Sequence, residues 1–280
     1  MGKGAQGKKI TYQTKRQKEY LQSYEKMDKV SFLQKAVSES LEKLSLPEAS
    51  WTLPELKATG RKFTYEFAGK TEEKTPYNNF LTGYNTLHSL ISLYRFLAEL
   101  ALCMENNTDK CKEYLYLAAY CQKCICQWPD HDENHNSIGL VSLSRLDLFY
   151  MALIADAEFI KELGELLSIP ERTWNPFLTY RGNAVIRLSM GDKERAVYYA
   201  EKMLKEDSHP LWLNYAHCIE AIVSGDADTV NGTLCAIVSS WRRTSGPPRL
   251  LIIHAIGLAK LAVKNGLQVT IDTMDCPQAL

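Results

Sequence analysis

Three cysteines and two histidines form the spacing most suggestive of chemistry, Cys121-x2-Cys124-x-Cys126 followed by His131-x3-His135. Thiolate and imidazole both ligate Zn²⁺, and both spacings occur in zinc sites. On a helix, however, Cys121 and Cys124 share a face while Cys126 points elsewhere, and buried cysteine is common on helices. The turn holding the histidines also carries Asp130, Asp132, Glu133, Asn134 and Asn136, as a solvated connection does. The reading is of thiols without stoichiometric zinc, Cys121, Cys124, His131 and His135 being the candidate ligands for any metal. His217 and Glu220 stand three apart, a spacing used by metal sites in bundles, but those sites need matching carboxylates from other helices. A surface pair is expected there. His254 interrupts an apolar stretch and is expected to hydrogen-bond a core partner. No Gly-x-Ser-x-Gly elbow, complete P-loop or His-Glu-x-x-His occurs, so no catalytic residue and no cofactor are assigned. Asp156 with Glu158, and Glu162 with Glu165, read as solvated charges on wet helix faces.

Such residues would be positioned by helices. Gly191-Asp192 and Gly225-Asp226 fall 34 residues apart in matching surroundings, a period typical of stacked helical hairpins. Before each pair runs a one-sided apolar pattern, Phe177–Met190 and then Trp212–Val223. After each comes another, from Ala196 to Leu204 and from Ala227 to Trp241. Glycine can end one helix and aspartate can cap the next. Further helices are expected over Lys29–Leu44, Tyr77–Met104, Asp109–Trp128, Ile138–Ala155 and Ala157–Leu167. Leu250–Val263 has 14 residues and includes His254 and Lys260, short of the roughly 20 that span a bilayer, and reads as a core helix. Residues 62–67 alternate with period two and predict a short β-like arm, and Leu267–Thr273 alternates like a strand. The fold class is all-α: antiparallel helical hairpins, repeat-like in the C-terminal half, with that arm and a short C-terminal extended segment. A flexible basic tail over 1–18 precedes a single domain over 19–280, divisible into 19–76, a hairpin array over 77–266 and a tail over 267–280.

Composition narrows the function classes. The 280 residues are 45% hydrophobic, enough for a sizeable core, and 33 basic residues balance 33 acidic ones. Lysine and arginine are dispersed among acids, which argues against nucleic acid and anionic membrane as partners. The start, rich in lysine up to Lys18, has no apolar run of a secretory signal. Eight cysteines with no such signal argue for reduced thiols and a cytoplasmic location. Tyrosines cluster at Tyr114, Tyr116 and Tyr120 and at Tyr198-Tyr199, as core or core-edge residues.

The C-terminal residues Pro247-Pro248-Arg249-Leu250-Leu251, Gly257-Leu258-Ala259-Lys260-Leu261-Ala262, Asn265-Gly266-Leu267, Val269, Ile271-Asp272, Pro277 and Leu280 resemble the closing segment of the immunity protein 49 family of bacterial polymorphic toxin systems. The resemblance implies a helical, non-catalytic cytoplasmic protein that binds a cognate toxin domain and blocks it, a toxin–antitoxin type of pairing. An inhibitor of this kind needs rigid contact over roughly 1,200–2,000 Å² and no active site. Asp226, Asp228, Asp272 and Asp275 are the candidate partner-contacting residues, since recognition concentrates in polar turns and tails on a rigid scaffold. Two other readings share this architecture. One is a helical-repeat, TPR-like adaptor or regulator that binds a cellular peptide; the other is a metal-dependent helical enzyme built on the Cys/His turn or on His217 and Glu220.

Overall fold

A computed structural model describes residues 15–25, 28–45, 63–67, 70–74, 83–127, 143–167, 176–206, 209–243, 250–273, 276–277 and 280. Within them the chain is all-α apart from one hairpin. The helices are α1 (Lys15–Glu25), α2 (Lys29–Leu44), α3 (Gly83–Cys103), α4 (Thr108–Cys126), α5 (Leu143–Ile154), α6 (Ile160–Leu167), α7 (Pro176–Ser189), α8 (Lys193–Glu206), α9 (Pro210–Ser224), α10 (Ala227–Arg242) and α11 (Ile253–Lys264). Between α2 and α3, β1 (Phe63–Phe67) pairs antiparallel with β2 (Lys70–Lys74), Tyr65 opposite Glu72.

Two helices form the axis because α5 and the first half of α11 leave no wet face. Every residue of α5 from Leu146 to Ile154 is buried, as is the run Leu250–Leu258 that enters and begins α11, and a helix apolar all round has to be surrounded. These two helices pack on each other. Amphipathic helices wrap them: α3 pairs with α4, α4 meets α5, and α7 to α10 pack in chain order until α10 reaches α11. Contact between the axis helices is close at Gly257, where a Cβ would lie 2.1 Å from the Tyr150 ring.

The connections share one device. At the end of α7, Gly191 takes φ +83° and Asp192 N–H donates to the Arg187 carbonyl at 2.9 Å. At the end of α9, Gly225 takes φ +84° and Asp226 N–H donates to Ala221 O, again at 2.9 Å. Each is a left-handed closure that satisfies an orphan carbonyl. The aspartates then cap the following helices, Asp192 accepting from Arg195 N–H and Asp226 from Thr229 N–H. The α3/α4 hairpin uses Asn106 (φ 51°) in place of glycine and Asn107 as the cap of α4, so the same construction occurs without the Gly-Asp letters.

Several boundaries differ from the sequence reading. Lys15–Lys18, read as tail, begin α1, with Gln17 buried; residues 1–14 lie outside the described residues. Helix α6 starts at Ile160, not Ala157, because Asp156 takes φ 55° and ends α5, leaving 157–159 as a connector. Residues 77–82, 128 and 138–142, read as helical, also lie outside the described residues. The alternation over Leu267–Thr273 is realised as burial, with Val269 and Ile271 inward and Thr270 and Asp272 outward. No strand forms there; Thr273 and Cys276 make an isolated bridge.

Three glycine substitutions separate these constraints. Gly257→Ala should destabilise by about 1–3 kcal/mol through the Tyr150 clash, and Gly225→Ala by about 1–2 kcal/mol through the left-handed backbone. Gly232→Ala, inside α10 with open space around it, should instead gain up to about 1 kcal/mol from helix propensity. Urea melts read by circular dichroism check the order, which fails if Gly257→Ala is as stable as Gly232→Ala.

Candidate functional site

An asparagine joins the C-terminal tail to the helix that Asp226 caps. Asn231, one turn inside α10, donates from Nδ2 to the Gln268 carbonyl at 3.1 Å and accepts at Oδ1 from Thr270 N–H at 2.8 Å. One side-chain amide thus bonds a carbonyl and the N–H two residues further on, as a neighbouring strand would. Its Nδ2 also donates to Ala227 O at 2.8 Å, which fixes the amide to its own helix. The tail therefore crosses the first turns of α10 at Gln268–Thr270; Asp226, Asp228 and Asp272 are all exposed. Asp226 is also the cap: hydrogen bonds from Thr229 N–H and Oγ1 hold its carboxyl below the ordinary value. Asp275 lies outside the described residues.

The far end of the tail is held by Lys260. Its ammonium donates to the Ile154 carbonyl at 2.7 Å, to the Leu280 backbone oxygen at 3.1 Å and to Asp156. Lys264 and Lys112 also face Asp156, at 3.3 and 4.0 Å. Partial burial pushes the Asp156 carboxyl up, but the hydrogen bonds and charges of Lys260 and Lys264 outweigh it and leave it below its ordinary value. Lys260 moves down, because its greater burial outweighs the pull of Asp156. Two of the other carboxylates read as solvated are engaged as well: Glu158 accepts from Tyr116 OH at 2.7 Å, and Glu162 pairs with Lys123 at 2.6 Å, while Glu165 is exposed as read. Packing of α4 on α6 and on the connector before it accounts for both.

Behind this surface lies a buried ionic group. His254 of α11 pairs through Nε2 with Asp147 of α5, and the second carboxylate oxygen accepts from Arg95 Nη1 of α3 at 3.2 Å. The His254 ring is flanked by Tyr150, Tyr215 and Trp241 at centroid distances of 5.2, 5.7 and 5.4 Å. Trp241 Nε1 donates to Tyr215 OH at 3.1 Å, and Arg181 lies buried over the Trp212 ring at 4.6 Å. Burial pushes the Tyr150 phenol well above its ordinary value, so the hydroxyl stays protonated. His254 and Asp147 are buried, while the Arg95 side chain is 27% exposed.

The cysteines stand as thiols. Burial pushes the Cys121 thiol up to about 12 and raises that of Cys124. Cys126 accepts from Gln122 Nε2. Among the described residues no group of three His, Cys, Asp or Glu side chains is placed to hold a metal; His131 and His135 lie outside them. His217 and Glu220 form an exposed pair at 3.2 Å. Among the described residues no helix is long and apolar enough to cross a membrane.

Sequence reasoning missed Asn231 and Asp147. An asparagine inside a helix is a weak signal, since asparagine competes with the helix for hydrogen bonds. A lone carboxylate in one apolar helix and a lone imidazole in another was the stronger one. Comparisons with family models, curated proteins and solved structures find no match.

Asn231→Leu keeps the volume and removes both bonds to the tail. Amide exchange at Thr270 should accelerate at least tenfold, with a loss of about 1–3 kcal/mol; unchanged exchange would show that burial alone holds the tail. The depressed Asp156 carboxyl contributes stability that is complete well above its ordinary value of about 3.8 and is lost as pH falls through the lower folded value. Thermal melts of wild type and Asp156→Asn should therefore converge on acidification from about pH 6 to pH 3. A constant gap across that range contradicts the assignment.

Proposed function

We propose that this chain is an immunity protein that neutralises a cognate toxin domain in the cytoplasm by forming a tight, stoichiometric, non-catalytic complex. The observation that carries the proposal is the C-terminal residue pattern, from Leu250 through Gly257 and Asn265-Gly266 to Ile271-Asp272, which resembles the closing segment of the immunity protein 49 family. Physical features agree with the reading. The segment belongs to the packed axis, Gly257 against Tyr150, and such anchoring gives a binding surface the rigidity that limits the entropy lost on association. Its extended part lies beside exposed Asp226 and Asp228, an edge suited to a partner with complementary positive charge. The eight thiols suit a reducing compartment.

The 34-residue recurrence of Gly-ended hairpins favours a second reading, a helical-repeat adaptor for a cellular peptide. One experiment separates them. Cells expressing the toxin encoded beside this gene should survive only when the chain is co-expressed, and the two proteins should co-purify at one to one. Survival without a complex, or a harmless neighbour, leaves the adaptor as the better account. For the edge itself, Asp226→Ser retains the helix cap while removing the charge. Combined with Asp228→Asn and Asp272→Asn it should weaken the toxin complex at least tenfold with little change in melting temperature. Full affinity in the triple variant would move the interface elsewhere.

A further inference from the structure

The tail does not fill the face of α11 that it covers. A pocket of about 140 Å³ remains, lined by Ile256, Ala259 and Val263 of α11 and by Val269, Ile271 and Pro277 of the tail. Ile256, Val269 and Ile271 are buried, whereas Val263 is 55% exposed and marks the mouth. An engineered apolar cavity of about 150 Å³ binds benzene, whereas cofactor and drug sites run to about 300–1,000 Å³. The volume therefore suits a single hydrocarbon ring. The remaining lining decides the charge of the occupant. Lys260, Cys276 and Leu280 bring polar groups to the pocket, and these are engaged within the protein. Lys260 donates to the Ile154 carbonyl, to the Leu280 backbone oxygen and to Asp156, so its three N–H bonds are taken. Cys276 exchanges both of its backbone hydrogen bonds with Thr273, and Leu280 N–H donates to the Pro277 carbonyl at 3.4 Å. A carboxylate inside would have to draw Lys260 away from three acceptors, one of them the Leu280 oxygen in the same wall. An ammonium would exchange its water for hydrocarbon. A neutral apolar occupant incurs neither cost.

We infer that the pocket between α11 and the tail is a binding site for a small, neutral, hydrophobic molecule of single-ring size. The inference is independent of the toxin-binding reading and is tested without a toxin. Toluene, titrated into the full chain, should give saturable shifts in the methyl signals of Ile256, Val269 and Ile271, with intermolecular Overhauser effects from the ring protons to the same methyls. Benzoate, similar in size but charged, should bind at least tenfold more weakly, because the pocket offers its carboxylate no donor that is not already engaged. Ala259→Leu fills the pocket from a partly exposed position on α11 and should weaken toluene at least tenfold. Absence of saturable shifts or of Overhauser contacts at these methyls overturns the site, whatever the variant does. Undiminished toluene binding in folded Ala259→Leu overturns it as well, and equal affinity for the two probes overturns the assignment of a neutral ligand.

Discussion

The Asp147 carboxylate, itself buried, lies between a buried imidazole and a half-buried guanidinium contributed by two other helices. Removing a charged group from water is expensive unless it is paired and hydrogen-bonded, and removing one partner from such a pair typically costs about 3–5 kcal/mol. Three helices are therefore held in one rotational setting: α5 must present Asp147 to α3 and α11 together. Aromatic rings from α5, α9 and α10 close around His254, so the setting extends into the hairpin array. Apolar packing would allow several arrangements of similar energy. One buried ionic group with fixed partners is a more selective constraint than the Leu and Ile contacts around it.

That constraint explains why the remaining contacts are close. With α5 and α11 fixed in rotation, the only residue at position 257 that leaves room for the Tyr150 ring is glycine. With α11 fixed, Lys260 points to the end of α5, where left-handed Asp156 leaves the Ile154 carbonyl to be satisfied by a side chain. The ammonium binds that carbonyl and the Leu280 oxygen, so the helix end and the tail end share one donor. The position of the tail is thus built outward from the core.

Much of the fold was legible because it rests on local rules. The Gly191-Asp192 and Gly225-Asp226 pairs gave helix stop and helix start directly, since left-handed closure and aspartate capping are decided within a few residues. Residues 62–67 alternated, and Phe63–Phe67 form a strand. The α3/α4 connection used asparagine for the same closure and so carried no Gly-Asp mark. What could not be read was non-local. Asp147 and His254 are more than a hundred positions apart, and their pairing depends on which faces α5 and α11 turn to each other. The tail was a subtler case: its period-two pattern was correct, yet periodicity reports burial of alternate residues and not the identity of the hydrogen-bond partner. Here the partner is a side chain on a helix.

The asparagine that substitutes for a strand has a consequence for the length of the tail. Asn231 grips the stretch from Gln268 to Thr270, and from Gln268 to Asp272 the side chains alternate between solvent and core. One residue inserted between Gly266 and Gln268 would leave the amide a carbonyl and an N–H to bind, but the side chains up to Asp272 would change sides, burying Thr270 and Asp272 and exposing Val269 and Ile271. Two inserted residues would restore the pattern. The segment is therefore sensitive to the parity of its length more than to the length itself, a property of sheets imposed on a helical protein by one amide group.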